Sequence, residues 1–172
     1  HEIGHGFDDQ GSRYGADGSL ADWWTQQDRE AFEQRTAKLV EQFDSLVPSV
    51  LEGREGDHTV NGELTLGENI GDLGGLGIAH QALALWREQK GVTPQEIDGR
   101  SEDARFFFAW AQAWRHVTRP ERAITLLSID PHSPAEFRAN QIVKNLGAFH
   151  EAFGTSEGDA MYLAPEDRVT IW

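Results

Sequence analysis

A mainly α-helical domain is what this sequence predicts, and three observations carry the prediction. Apolar residues recur at helical spacing with charges between them, as in Phe32, Thr36, Leu39, Val40, Phe43, Leu46 and Val47. Helix start and stop signals punctuate the chain at Thr25, Pro48, Thr65, Gly91, Ser101 and Ser133. With 172 residues, six Trp and nine Phe, the chain fits one domain and can bury a sizeable core. No internal repeat, low-complexity tract or domain linker interrupts it.

The stretch His1 to Phe7 reads as the end of a helix, stopped by Gly6 and a loop through Asp8-Asp9-Gln10-Gly11. Tyr14 to Ser19 is turn chemistry, with Asp17-Gly18 its strongest element. Thr25 caps the next helix, and Pro48 marks its end. Residues 52 to 64 are polar and Gly-containing, a loop with a short hairpin expected at Asn61-Gly62. Thr65 opens a long helix to about Gln89, closed by Gly91 and Pro94. Ser101, followed by Glu102 and Asp103, starts a helix running to about Val117. Phe106, Phe107, Phe108, Trp110 and Trp114 make it apolar on nearly every side, so deep burial is expected. Ser133-Pro134-Ala135-Glu136 reads as a capping box with Pro at the first helical position, opening a helix towards Asn145. From Gly154 onward the chain reads as irregular.

The net charge of −14 argues against nucleic acid or an anionic membrane as partner. No apolar run is long enough to span a bilayer. The absence of cysteine excludes a disulfide framework and any cysteine-ligated metal. A borderline metal would need His and carboxylate ligands, so the seven histidines come first.

His1-Glu2-Ile3-Gly4-His5 has the HExxH pattern. Positions four apart share a helix face, so both imidazoles can reach one metal. Imidazole suits Zn²⁺, and Glu2 stands beside the ligands where it can take a proton from water. Two surface histidines at a helix end would give the same five residues. In Gly67-Glu68-Asn69-Ile70-Gly71-Asp72-Leu73-Gly74-Gly75-Leu76-Gly77, the glycines at 71, 74, 75 and 77 sit inside a helical pattern. Each costs about 1 kcal/mol relative to Ala, so about 4 kcal/mol needs an offset such as close approach of another helix. Glu68 and Asp72 face the same way. Glu68 could ligate zinc while Asp72 accepts a hydrogen bond from a ligating imidazole. Thr65-Leu66-Gly67-Glu68 is equally a capping box, with Glu68 as its reciprocal partner. His132 and Arg138 lie near the start of one helix, where anions are stabilised. An ordinary loop position for His132 and a surface salt bridge for Arg138 are the simpler readings of those two residues alone. His58, His80, His116 and His150 have no partner at ligand spacing.

Taken together, His1 through Asp9, Asn61-Gly62 with Thr65 through Asp72 and Gly74-Gly75-Leu76, Asp22-Trp23-Trp24-Thr25, and Asp130 through Arg138 resemble the signatures of the neprilysin family of zinc metalloendopeptidases. The resemblance covers essentially the whole chain. It implies a thermolysin-like zincin fold of the gluzincin type, with residues 1–172 as the C-terminal part of the peptidase catalytic domain. It implies His1, His5 and Glu68 as Zn²⁺ ligands, Glu2 as catalytic base and Asp72 as the partner of a ligand. It implies that His132 and Arg138 bind the substrate carbonyl and tetrahedral intermediate. Ala113 and Trp114 match residues lining the pocket for the side chain just after the cut. Short peptides, cleaved before hydrophobic residues, are the implied substrates.

Animal members end in Cys-x-x-Trp, whereas this chain ends Val169-Thr170-Ile171-Trp172. With no cysteine, it resembles a bacterial PepO-like oligopeptidase, expected in the cytoplasm with export as the alternative. The chain also reads as a fragment whose N-terminal partner, holding most of the substrate cleft, belongs to the same enzyme. Alone, it is expected to fold but not to cleave, to hold zinc weakly or not at all because His1 is its first residue, and to cover apolar surface by self-association. The competing reading is a metal-free or degenerate homologue serving as a binding or structural module. Intact Glu2 favours the enzyme, because ligands alone would suffice for a structural metal.

Overall fold

The computed structural model describes residues 1–171, so Trp172, matched above to a family signature, lies outside the described residues. Six α-helices form the domain: α1 (Gln26–Asp44), α2 (Leu66–Lys90), α3 (Glu102–Ala113), α4 (Pro120–Ile129), α5 (Ala135–Val143) and α6 (Gly147–Phe153). Only isolated β-bridges occur among the described residues, so the predicted mainly α class holds. No helix among them is long and apolar enough to cross a membrane.

The helix signals act as the physics of end groups requires. The Thr25 hydroxyl accepts from the Asp28 N–H, and the Ser101 hydroxyl accepts from the Ala104 N–H. Gly91 ends α2 in the left-handed conformation, φ 62°. Along α1 the buried residues are Phe32, Thr36, Leu39 and Phe43, one stripe at helical spacing. That stripe meets Leu66, Ile70, Leu73 and Leu76 of α2, while Ile142 and Val143 of α5, Phe149 of α6 and Val169 and Ile171 complete the core. The irregular C-terminal stretch is pinned by side chains: Arg35 donates to the carbonyls of Thr170 and Ile171, and Asn145 Oδ1 accepts from the Val169 N–H.

Several expectations are corrected. The hairpin at Asn61-Gly62 is a turn, in which the Thr65 N–H donates to the Asn61 carbonyl. Gly62 is there for close approach, since a Cβ would sit 2.5 Å from the Val40 carbonyl oxygen. Neither capping box forms. Thr65 donates to the Asn61 carbonyl instead of capping α2. Ser133 reaches across to Asn69, and Glu136 accepts from the Ser49 N–H and hydroxyl. The third helix stops at Ala113, and it is not deeply buried: only Ala104 and Phe107 are, while Phe108 is 41% and Val117 97% exposed. The described chain supplies packing partners on one side of α3, mainly α5 and the Phe149–Phe153 aromatic group of α6. The sequence reading also passed over α4 and α6.

Candidate metal centre

Residues 1 to 7 form one helical turn, with the His5 N–H bonded to the His1 carbonyl at 3.3 Å and a 3₁₀ segment over Gly4–Gly6. The turn rests on the first half of α2. There two of the four glycines have their explanation: a Cβ on Gly71 would lie 2.9 Å from the His1 ring, and one on Gly75 would lie 2.6 Å from the His1 backbone nitrogen, whereas one on Gly77 would make only ordinary contact with Leu146 at 3.6 Å. The bare face lets the His1–His5 turn settle against α2, and Glu68 and Asp72 project beside it.

The result is a convergence of charge. His1 Nε2 lies 3.1 Å from Glu68 Oε2, and His5 Nε2 lies 3.4 Å from Glu68 Oε1. Each imidazole is gripped from behind: His1 Nδ1 by Asp72 at 2.8 Å and His5 Nδ1 by Asp8 at 2.8 Å. An ionised carboxylate only accepts, so each Nδ1–H donates to its aspartate, and by the same rule each Nε2–H donates towards Glu68; shedding that second proton would turn an Nε2 lone pair to an ion in the same place. One ligand atom from each of His1, His5 and Glu68 lies within 4.8 Å of the others. Two imidazoles and a carboxylate, with carboxylates behind the rings, fit Zn²⁺ in donor type and number, leaving a position for water.

The ionisation pattern follows from the contacts. The hydrogen bond to Asp8 raises the His5 pKa above its ordinary value, against the effect of burial, with further help from the charges of Glu68, Asp8 and Glu2. Burial pushes the Asp72 carboxyl up, and the Arg138 guanidinium opposes this without cancelling it. Arg138 holds Asp72 as a fork, Nε to Oδ2 at 2.6 Å and Nη2 to Oδ1 at 2.8 Å, and Nη2 reaches Glu68 at 3.5 Å. Its guanidinium also stacks on Trp114, 4.0 Å from the ring centroid. His132 brings Nε2 to 3.2 Å from Glu68 Oε2 while Asp130 accepts from its N–H and from Nδ1. Burial raises the Asp130 carboxyl, and the two hydrogen bonds from His132 together with the charges of His132 and Arg122 outweigh it, leaving the group below its ordinary value.

The family model of Peptidase family M13 matches residues 1–169. The chain belongs to that family. Among curated relatives, the neutral endopeptidase of Lactococcus lactis is 38% identical over 172 residues, which is all of this chain and 24% of the relative. Human neprilysin is 36% identical over all of this chain and 22% of its own length. The crystal structure of Mycobacterium tuberculosis zinc metalloprotease Zmp1 with an inhibitor superposes with a TM-score of 0.94 at 50% identity, covering all of this chain and 26% of that one. That of PepO from Lactobacillus rhamnosis gives 0.78 at 38% identity, covering all of this chain and 24% of that one. This M13 chain therefore spans about a quarter of the length of the curated relatives it matches.

The structure brings His1, His5, Glu68, Asp72, His132 and Arg138 together, with Glu2 exposed on the same turn. Ala113 and Trp114 line a cavity of about 580 Å³ that also touches His132 and Arg138. Of the remaining four histidines, His80 pairs with Asp103, His58 with the Glu55 carbonyl, and buried His150 with Thr155 and the Lys144 carbonyl, while His116 lines the same cavity as Ala113 and Trp114. Two neighbours of the candidate ligands are not singled out by the sequence. Asp8 reads as loop, although its spacing of three from His5 is the available signal. Asp130, two residues before His132, had the spacing of a local side-chain turn.

Proposed function

We propose that residues 1–172 are the metal-binding part of the catalytic domain of a zinc-dependent endopeptidase, and that the whole enzyme cleaves short peptides. The observation that carries this is the paired arrangement of the histidines: each Nδ1 is tied to an aspartate and each Nε2 faces the Glu68 carboxylate. A structural imidazole has no need of that double constraint, whereas a ligand does. His1, His5 and Glu68 hold the ion. When bound, zinc supplies Lewis acidity, lowering the pKa of a water to about 7 and polarising a carbonyl.

The residues of this chain then divide the work. Glu2 takes a proton from the attacking water and returns it to the departing amine nitrogen. The water oxygen bonds to the peptide carbon, the carbonyl π electrons move onto oxygen, and collapse of the tetrahedral adduct breaks the C–N bond. His132, its Nδ1 bonded to Asp130, donates from Nε2 to that oxygen. Arg138, its fork held by Asp72, adds positive potential at the same place. The cavity at Ala113 and Trp114 receives an apolar side chain of the peptide. The remaining three quarters of a relative-sized enzyme supply the rest of the cleft. The test is metal analysis of the full-length protein together with cleavage of a fluorogenic peptide. One zinc per molecule and chelator-sensitive cleavage are expected; chelator-resistant cleavage, or none with zinc bound, contradicts the proposal.

A further inference from the structure

We infer that Asn69 and Ser133 form a positioning pair that sets His132 against the Glu68 carboxylate. The inference rests on the role proposed for His132 and adds to it the residues that hold it in register. His132 has a side chain 48% exposed, so packing does not fix it. Its hydrogen bonds to Asp130 orient the ring within its own loop, and nothing in that pair ties the loop to α2. The adjacent residue does. Ser133, 3% exposed, donates from Oγ to Oδ1 of Asn69 at 2.8 Å, and Asn69, 1% exposed, directly follows Glu68. One buried hydrogen bond thus links the chain neighbours of the two groups whose separation matters.

The bond also has a fixed direction. The Asn61 carbonyl can only accept, so the Thr65 hydroxyl donates to it at 3.1 Å. That leaves Thr65 Oγ1 to accept from Asn69 Nδ2 at 3.1 Å. The amide oxygen of Asn69 must then point at Ser133, whose hydroxyl is the donor. Ser133 lies one residue before Pro134, the N-cap of α5, so its hydroxyl makes no cap and is used across the fold. Arg138 and Asp72 lock α5 to α2 further along, which leaves the Ser133–Asn69 bond as the buried polar link next to His132.

The test is a double-mutant cycle in the full-length enzyme. His132→Ala should lower kcat by about 10²–10³. Ser133→Ala should keep one zinc per molecule, leave KM within about twofold and lower kcat by about ten- to hundredfold, as displacement of a catalytic group does. In the His132→Ala background it should cost less than about twofold more, because its effect runs through that ring. Calorimetry with a phosphinic peptide, whose tetrahedral anion resembles the adduct, should show the same non-additive loss of affinity. The isosteric pair Ser133→Thr and Ser133→Val separates hydroxyl from shape, with Thr expected to be the more active. Additive losses, zinc loss on Ser133→Ala, or equal kcat for Thr and Val would overturn the positioning role alone. Wild-type kcat in His132→Ala would overturn the reading of His132, and this inference with it.

Discussion

At the scale of single residues, the site separates groups that its sequence makes look alike. Asp8 and Asp72 each hold one imidazole, but Asp72 also neutralises the buried Arg138 guanidinium. Removing one partner of a buried pair leaves an uncompensated charge, at a cost of about 3–5 kcal/mol. Asp72→Ala should therefore lower stability as well as zinc affinity, while Asp8→Ala should lower zinc affinity by about 10–100-fold with a smaller loss of stability. Equal losses in denaturant midpoint for the two variants would refute that contrast. Glu2 has no such structural load. Glu2→Gln in the full-length enzyme should retain zinc and lose about 10²–10⁴ in kcat; activity within a few-fold of wild type would remove it from the mechanism. Proton and metal compete for His5. Its raised pKa means that the His5–Asp8 pair stabilises the metal-free fold fully below about pH 6.5 and loses that contribution as pH rises through the folded value above it. Zinc needs the neutral ring, so zinc affinity should rise with pH across that same window. A pH-independent zinc affinity between pH 6 and 8 would exclude His5 as a ligand.

At the scale of elements, α2 is the organising piece. Its glycines look costly in the sequence, with close approach as the expected offset; for Gly71 and Gly75 the partner is the short turn carrying His1 and His5, not a second long helix. Gly75→Ala puts this in testable form. Alanine favours a helix by about 1 kcal/mol over glycine, yet its Cβ would meet the His1 backbone at 2.6 Å. The variant should bind zinc more weakly; unchanged zinc affinity with a raised melting temperature would show that the turn can shift freely. The sequence made the long helices legible because α1 and α2 carry a periodic apolar stripe and clear end signals. It made α6 hard to see because it is short, and α4 because no side chain caps it, although Pro120 at the start of α4 and Gly154 after α6 were usable signs. The capping boxes mislead for two reasons: Ser133 and Glu136 have tertiary partners, which sequence spacing cannot show, and Thr65 is engaged locally by Asn61 and Asn69. For Glu68 the local residues allow cap or ligand, the family resemblance implies the ligand, and the fold turns its carboxylate towards the histidines.

At the scale of the whole molecule, apolar surface next to the metal centre stands uncovered. Ile3, Phe7, Trp23 and Ile78 are exposed around a cavity of about 800 Å³ that reaches His1. Val117 and Phe108 are exposed elsewhere, where the sequence had promised burial. The chain spans about a quarter of its relatives' length, and open apolar faces of this kind suit packing against more protein. The 172-residue chain on its own should therefore fold, self-associate at high concentration and show little peptide cleavage. Sedimentation and a fluorogenic assay on the isolated chain check this, and a monomer with full turnover would mean that the site is complete as it stands. The central claim is narrower: His1, His5 and Glu68 together hold one zinc ion. Anomalous diffraction at the zinc edge from crystals of the zinc-loaded full-length protein tests it most directly. One peak bonded to His1 Nε2, His5 Nε2 and a Glu68 carboxylate oxygen at about 2.0–2.2 Å is the predicted result. A peak bonded to other residues, or none there in active enzyme, would contradict it.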